Sequence, residues 1–523
     1  MTVQKFVLQR VIMTLNLSQQ PNILILMVDQ LSGEFFRDGP ADFLHAPALK
    51  KLAKNGVNFD NAYCASPLCS PARASFMTGN LPSKTGVYDN AAEFPSTLPT
   101  FAHSLRSLGY NTILSGKMHF VGADQLHGYE ERLTTDIYPA DFGWTPDWSK
   151  PEERVDWWYH NLGSVTGAGV AITSNQLEYD DDVAYQATQK LHQLSRRQDD
   201  RPFCLTVSFT HPHDPYVTRQ KYWDLYQDTE LPKLNVDAIA YEDQDSHSQR
   251  LYKAVDFENF SVDEQDVKNA RRAYFGNISY LDEKIGKILQ TLDDCQFTDD
   301  TIVVFCADHG DMLGERGLWY KMSFFEGSMQ VPMIFSAPNK FKNKSIKNAV
   351  SILDLAPTLI EMAGGSLDQH PISNDGTSLY SCITQDKNPE HTVYAEYVGE
   401  GSIDPMLMIR QQQWKFNYCE VDEPQLFDLS KDPFEENNLA KNADYADELE
   451  NFTKQTHQRW NVEEFRAQVT LSQQQRLAVY TGLRKGNFKP WDFQPMQNAN
   501  ERYMRNHLDL NVLEANARFP KQK

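Results

Sequence analysis

Five short apolar runs limit what this chain can become: NILILMV (22–28), TILS (112–115), FCLTVSF (203–209), TIVVFCA (301–307) and VPMIFSA (331–337). Most are rich in Ile, Val, Leu or Phe and show little polar alternation. A run of that kind offers no face to water, so it reads as a strand covered on both sides, as in parallel sheet. Parallel neighbours need a crossover, and helical spacing fills the intervals. In 101–108, Phe101, Leu105 and Leu108 share a face that ends before Gly109. Over 265–294, Val267, Ala270, Tyr274, Ile278, Leu281, Ile285, Ile288 and Leu292 form one stripe at spacings of three and four. Strand alternating with helix predicts an α/β fold, a doubly wound, mostly parallel sheet flanked by helices.

The texture changes after about residue 385. TVYAEYV, MLMIRQQQWKFNY and PQLFDLS predict a small antiparallel sheet, with a closing helix over 443–466. The expected division is an N-terminal extension (1–19), a catalytic α/β domain (20–385), a C-terminal α+β subdomain (386–470) and an extended tail (471–523).

Composition narrows the function. The 523 residues carry a net charge of −21, which argues against a nucleic-acid partner, since phosphate binding needs clustered Lys and Arg. Seven scattered cysteines with no CxxC pair predict neither zinc nor a disulfide framework, and suit a reducing, cytoplasmic compartment. No stretch is long and apolar enough to span a bilayer, so no membrane partner is expected.

Ligands of doubly wound sheets bind at the carboxyl ends of the strands. Here those ends are polar: Asp29-Gln30, Lys117 and His119, His211 and His213, and Asp308-His309. Four such ends on one rim predict a shared site. Asp29, Asp308, His309 and the Gln30 amide form a mostly oxygen ligand set for a divalent ion, suited to Ca²⁺, Mg²⁺ or Mn²⁺ better than zinc.

The segment PLCSPARASFMTG (67–79) adds a thiol. Pro71 suits the first helical position and Gly79 the residue just past the end, which puts Cys69 immediately before a helix N-terminus. The cysteine can be a core residue, a catalytic thiolate or a site of modification.

Cys69-Ser70-Pro71-Ala72-Arg73, with the Ala-Ser-Phe-Met-Thr-Gly that follows, resembles the signature of type I sulfatases, in which this cysteine is oxidised to formylglycine (3-oxoalanine). PNILILMVDQ, GKMH, ADHGDMLGERG, YKMSFFEGSMQVPMI and LFDLSKDPFEENNLA extend the resemblance over most of the chain. VYDNAAEF, KMHFVGADQLHGYEERLTTDIYPADFGWTPDW and DWWYHNLGSVTGAGV resemble a cytoplasmic branch that hydrolyses choline sulfate. Gln30 and His309 depart from the Asp and Asn common in sulfatases. The departure is shared with phosphonate and phosphodiester hydrolases, which form the alternative reading. A catalytically silent quaternary-ammonium-binding protein is a third.

The resemblance implies one divalent ion, Ca²⁺ favoured, held by Asp29, Gln30, residue 69, Asp308 and His309. It also implies a formylglycine at residue 69, installed by a formylglycine-generating enzyme. Arg73 is expected to hold the hydrated aldehyde and Lys117 and Lys321 the sulfate oxygens, with Asn90 touching sulfate. His213 is expected as the acid for the leaving alkoxide and His119 as a base, with His211 able to exchange roles with His213. A trimethylammonium group is recognised by aromatic faces and carboxylates. Candidates are Trp144, with Trp148, Trp157, Trp158 and Tyr159 behind it, then Glu396 and Glu400. The tail, with Trp491, Phe493, Arg502, Arg505 and Asp509, is expected to reach a neighbouring subunit of a homo-dimer or homo-tetramer.

Overall fold

The computed structural model describes residues 20–151, 160–196, 199–338, 340–366, 374–385, 387–388, 391–496 and 509–518. The expected extension 1–19 and Trp157, Trp158, Tyr159, Arg502 and Arg505 lie outside the described residues.

The elements that carry the argument follow in chain order: β1 (Asn22–Asp29), β2 (Gly56–Phe59), α1 (Cys69–Thr78), β3 (Asn111–Gly116), β4 (Glu131–Arg132), α2 (Asn175–Arg196), β5 (Phe203–Pro212), α3 (Glu264–Asp294), β6 (Thr301–Ala307), β7 (Met333–Ser336) and β8 (Lys344–Ile346). Eight strands form one sheet in the order β8-β2-β7-β6-β1-β5-β3-β4. The central block β6-β1-β5-β3 is parallel throughout. Its strands are buried almost end to end, apart from the first residue of β1, which is why the sequence shows unbroken apolar runs. All four carboxyl ends therefore open on one rim.

The fifth predicted run behaves differently. It breaks at Pro332, and β7 pairs antiparallel with both β6 and β2. Burial on both faces produces the same apolar run in either direction, so strand direction is not legible there.

A second sheet, β9 (Val393–Tyr397), β10 (Met406–Gln411), β11 (Trp414–Cys419) and β12 (Gln425–Asp428), is an antiparallel meander. Buried charge ties it to the short helix Glu326–Met329 and to the three-stranded sheet that holds Tyr63. Lys415 Nζ lies 2.7 Å from Glu326 and 2.8 Å from Glu435, and Tyr63 donates to Glu326 at 2.9 Å.

The closing helix departs from expectation. It is two helices, α4 (Ala446–Arg459) and α5 (Val462–Leu483), separated at Asn461, whose side chain accepts from Glu464 N. Residue 471, the expected start of the extended tail, falls inside α5, and the far tail carries α6 (Leu510–Ala517). The buried stripe of α5 is Val462, Phe465, Val469, Gln473 and Arg476. Its second half is polar, so a search for apolar periodicity loses it at Val469.

Candidate active site

α1 begins at Cys69 and ends at Gly79, whose left-handed backbone (φ 69°) terminates it. Cys69 is thus the first helical residue, and Pro71 stands two positions later than expected. The capping residue, Leu68, has no side-chain donor or acceptor to offer. Asn90 supplies the cap from another loop, its Oδ1 accepting from Ser70 N at 3.0 Å.

Four buried groups converge at the rim. Cys69 Sγ lies 3.2 Å from His309 Nε2 and 3.8 Å from Asp29 Oδ1. His309 Nε2 lies 3.7 Å from Asp29 and 3.9 Å from Asp308. One ligand atom from each of Asp29, Cys69, Asp308 and His309 lies within 4.8 Å of all the others. His309 Nδ1 sits 3.0 Å from the Gly310 carbonyl, so the proton belongs on Nδ1 and the Nε2 lone pair faces the cluster. Two carboxylates and a neutral imidazole around residue 69 are a donor set that fits a divalent cation.

Gln30, expected as a ligand, lies beside the cluster and is held by bonds of its own. It is left-handed (φ 61°), and its backbone N–H donates to Asp308 at 3.1 Å. Its amide oxygen accepts from Lys321 at 2.6 Å and its amide nitrogen donates to Asp311 at 2.7 Å. These bonds tie Gln30 both to the cluster, through Asp308, and to Lys321.

Arg73, one turn along α1, bridges the two carboxylates: Nε to Asp308 at 2.8 Å and Nη2 to Asp29 at 3.0 Å. Nη1 donates to the Lys117 carbonyl at 2.5 Å and to Ser208 at 2.8 Å. Four bonds from one fork leave a single Nη2 N–H for residue 69 or its ligand. Burial works against the charge of each group here. Mutual attraction outweighs it, holding Asp29 well below the usual carboxylate range and Arg73 above its own. Lys117 pairs with Asp29 and lies 4.3 Å from the centre of the Tyr138 ring. Burial lowers its pKa and Asp29 more than restores it, so Lys117 stays charged.

The histidines separate. His211 Nδ1 lies 2.7 Å from Asp180 on α2, away from the cluster. His213 Nε2 lies 2.7 Å from Lys321 Nζ, and its Nδ1 lies 2.7 Å from the Asp214 carbonyl. Burial and the Lys321 charge push the pKa of His213 well below the ordinary histidine value. His119 has a left-handed backbone (φ 54°), held by Asp136, which accepts from the N–H groups of Met118 and His119, both at 2.9 Å. Burial lowers its pKa, keeping it neutral.

Trp144 is half-buried, its ring 5.8 Å from that of His119 and 5.2 Å from Tyr138. Glu400 is buried, and neither carboxylate oxygen has a hydrogen-bond partner among the described residues. Burial, then the charge of Asp89, pushes its pKa well above the usual range. Glu396 is not available to a ligand in the same way. Ser83 N and Oγ and Trp460 Nε1 all donate to it at 2.6 Å, which binds it into the junction with α4. Asp509 caps α6, accepting from Asn511 N and Val512 N, and is exposed.

Three neighbours escaped sequence reasoning. His160 Nε2 lies 2.8 Å from Lys321 Nζ, and Tyr138 stands among His119, Trp144 and Lys117. Arg476 reaches in from α5 to Asp89. An aromatic-rich insertion hints at the first two; nothing local in α5 marks the third.

Residues 21–365 match the family model for sulfatases, 314–462 that of the N-sulphoglucosamine sulphohydrolase C-terminal region, and 467–519 that of the choline sulfatase C terminus. The chain is 57% identical over 509 residues to a choline-sulfatase of Rhizobium meliloti, covering 96% of this chain and 99% of that protein. It is 28% identical to an arylsulfatase of Clostridium perfringens, over 83% and 93% of the two chains. A phosphonate monoester hydrolase of Agrobacterium radiobacter shares the fold, with a TM-score of 0.66 at 22% identity over 86% of this chain and 96% of that one.

Proposed function

This chain belongs to the sulfatase family, and we propose that it hydrolyses choline sulfate to choline and sulfate at the rim around residue 69. It is a sulfuric ester hydrolase, and its full-length identity to a choline-sulfatase favours that ester over a phosphonate or phosphodiester. The observation that carries the assignment of the site is the approach of Cys69 Sγ to 3.2 Å from His309 Nε2 and 3.8 Å from Asp29.

The family implies a metal ion and a formylglycine. When present, the hydrated aldehyde supplies an oxygen nucleophile and the ion lowers its pKa. Asp29, Asp308 and His309, with residue 69, would hold the ion; the family resemblance favours Ca²⁺, and the donor set equally accommodates Mg²⁺ or Mn²⁺. The Gln30 amide oxygen, 2.6 Å from Lys321 Nζ, orients that lysine and is the further oxygen that could join the set.

A sulfate monoester is anionic, so the ammonium groups of Lys117 and Lys321 bind its oxygens and balance the charge that builds on them. Arg73 keeps Asp29 and Asp308 in fixed register through its Nε and Nη2 bonds. The leaving alkoxide needs a proton. His213 is the acid: its Nδ1 is held by the Asp214 carbonyl at 2.7 Å, and Nε2, 2.7 Å from Lys321 Nζ, carries the transferred proton in the doubly protonated ring once Lys321 turns to the sulfate oxygens. His119, buried and neutral beside Cys69, is the base that takes a proton from the hydroxyl at residue 69. Asn90 holds the N-terminal turn of α1 and so the position of residue 69. Trp144 and Glu400 meet the quaternary ammonium, the indole by its face and Glu400 as a buried carboxyl whose ionisation the cation itself favours.

The seven cysteines are buried free thiols, which supports a reducing, cytoplasmic location. Conversion of Cys69 requires a formylglycine-generating enzyme. A homo-dimer or homo-tetramer built through the C-terminal helices is supported by exposed Leu471, Val479, Leu510 and Val512.

Mass spectrometry of the peptide containing residue 69, with choline sulfate turnover by the same sample, tests the proposal. An aldehyde and turnover are expected. A thiol in a fully active sample removes the formylglycine, and an aldehyde without turnover removes the substrate.

A further inference from the structure

We infer that Arg476 of α5 is a positioning residue for the cation end of the pocket, tying together two walls that meet there. Its guanidinium is bidentate to Asp89, Nη1 to Oδ1 and Nη2 to Oδ2 both at 2.7 Å, and Nη1 also donates to Thr145 Oγ1 at 3.0 Å. The Arg476 and Asp89 side chains are 6% and 0% exposed, so the pair is shielded from competing water and salt.

Each partner is next in sequence to a pocket residue. Asp89 precedes Asn90, which caps α1 at Ser70 N. Thr145 follows Trp144, whose ring stands 5.8 Å from that of His119. The fork therefore links the loop that caps α1 to the segment that presents the indole. Other contacts from the C-terminal region hold the same segment. Gln473 accepts from Trp148 N at 3.0 Å, Asp492 accepts from Ala140 N at 3.0 Å, and the Trp491 ring packs edge-on to Phe142 at 5.1 Å. Arg476 differs from these because it also reaches the second wall, and because its charge balances Asp89, whose field is felt at Glu400. Lysine keeps the charge but cannot make two parallel bonds to Asp89 while reaching Thr145.

The inference rests on the choline reading above, and the experiment separates the two. Hydrolysis of an aryl sulfate is followed in the presence of choline and, separately, of inorganic sulfate, giving an inhibition constant for each end of the pocket. Arg476→Met is expected to raise the choline constant about tenfold and the sulfate constant less than about threefold, the loss of roughly one charged hydrogen bond at one end only. Arg476→Lys is expected to recover little of the loss, and Thr145→Val to give a smaller shift of the same sign. Should Arg476→Met fail to fold in a thermal melt, the lysine and valine variants decide. Equal changes in both constants, or no change in the choline constant of any variant, overturn the inference. If choline does not inhibit the unaltered protein at all, the choline reading itself falls.

Discussion

His213 stands between an ammonium and a backbone carbonyl, so its neutral form is fixed with Nε2 facing Lys321. As an acid the ring acts in its doubly protonated form, and the proton it then passes matters most when the leaving group is a poor one. Choline is an aliphatic alcohol. His213→Ala is therefore expected to lower kcat/KM for choline sulfate by about 10²- to 10⁴-fold, and that for an aryl sulfate far less. Equal losses on both esters would assign His213 to binding rather than proton transfer. Arg73 acts differently, because its bonds reach groups of the site and not substrate alone. Arg73→Lys retains a charge but cannot span Asp29 and Asp308. A fall in kcat/KM of about 10- to 100-fold, together with reduced bound metal by elemental analysis, is expected.

The loop after β3 shows what an element does to a titrating group. His127 stacks on Phe94 with ring centres 4.0 Å apart and lies edge-on to Phe120 at 4.6 Å. Burial lowers its pKa from 6.5 to about 4, against the opposing pull of Asp124. A depressed folded-state value means that the unfolded chain takes the proton first. The stability from neutral His127 is full above about pH 6.5 and is lost as pH falls towards about 4, by up to about 3 kcal/mol. Thermal melts between about pH 7 and pH 5 should therefore fall more steeply for the unaltered protein than for His127→Gln; parallel curves would show that the ring titrates normally. At this scale the sequence is legible where one face or both faces are apolar. β1, β3, β5, β6 and α3 announce themselves through unbroken runs or a stripe, and the rim follows because parallel strands end together. It is illegible where burial is polar. Gln473 and Arg476 continue the stripe of α5 with no apolar signal, and the bond from Lys321 to Gln30 joins residues far apart in the chain. The roles of His211 and His213 also separate only in space: His211 lies on β5 and is bound to Asp180, whereas His213 lies just past the end of that strand, beside Lys321.

The antiparallel C-terminal sheet is held to the body of the molecule by a charged joint. Lys415 is 0% exposed between Glu326 and Glu435, with Tyr63 and Arg410 closing the network. Removing the lysine leaves two buried carboxylates uncompensated, so Lys415→Met is expected to cost about 3–5 kcal/mol in chemical unfolding. Adding Glu326→Gln and Glu435→Gln to it should recover much of that; no recovery would mean the joint depends on packing instead. Assembly is a separate question at the same scale. The C-terminal region does two jobs in one stretch: Trp491 and Asp492 brace the pocket wall, whereas exposed Leu510 and Val512 lie on α6, beyond that brace. Deleting residues 494–523 keeps the brace and removes α6. Light scattering should then report a smaller species than the full chain gives, with the choline inhibition constant changed only if a neighbouring subunit's Asp509 enters the pocket. An unchanged mass would move the subunit interface to another face of the molecule. A reduced mass with an unchanged constant would confine α6 to assembly and leave each pocket complete within its own chain.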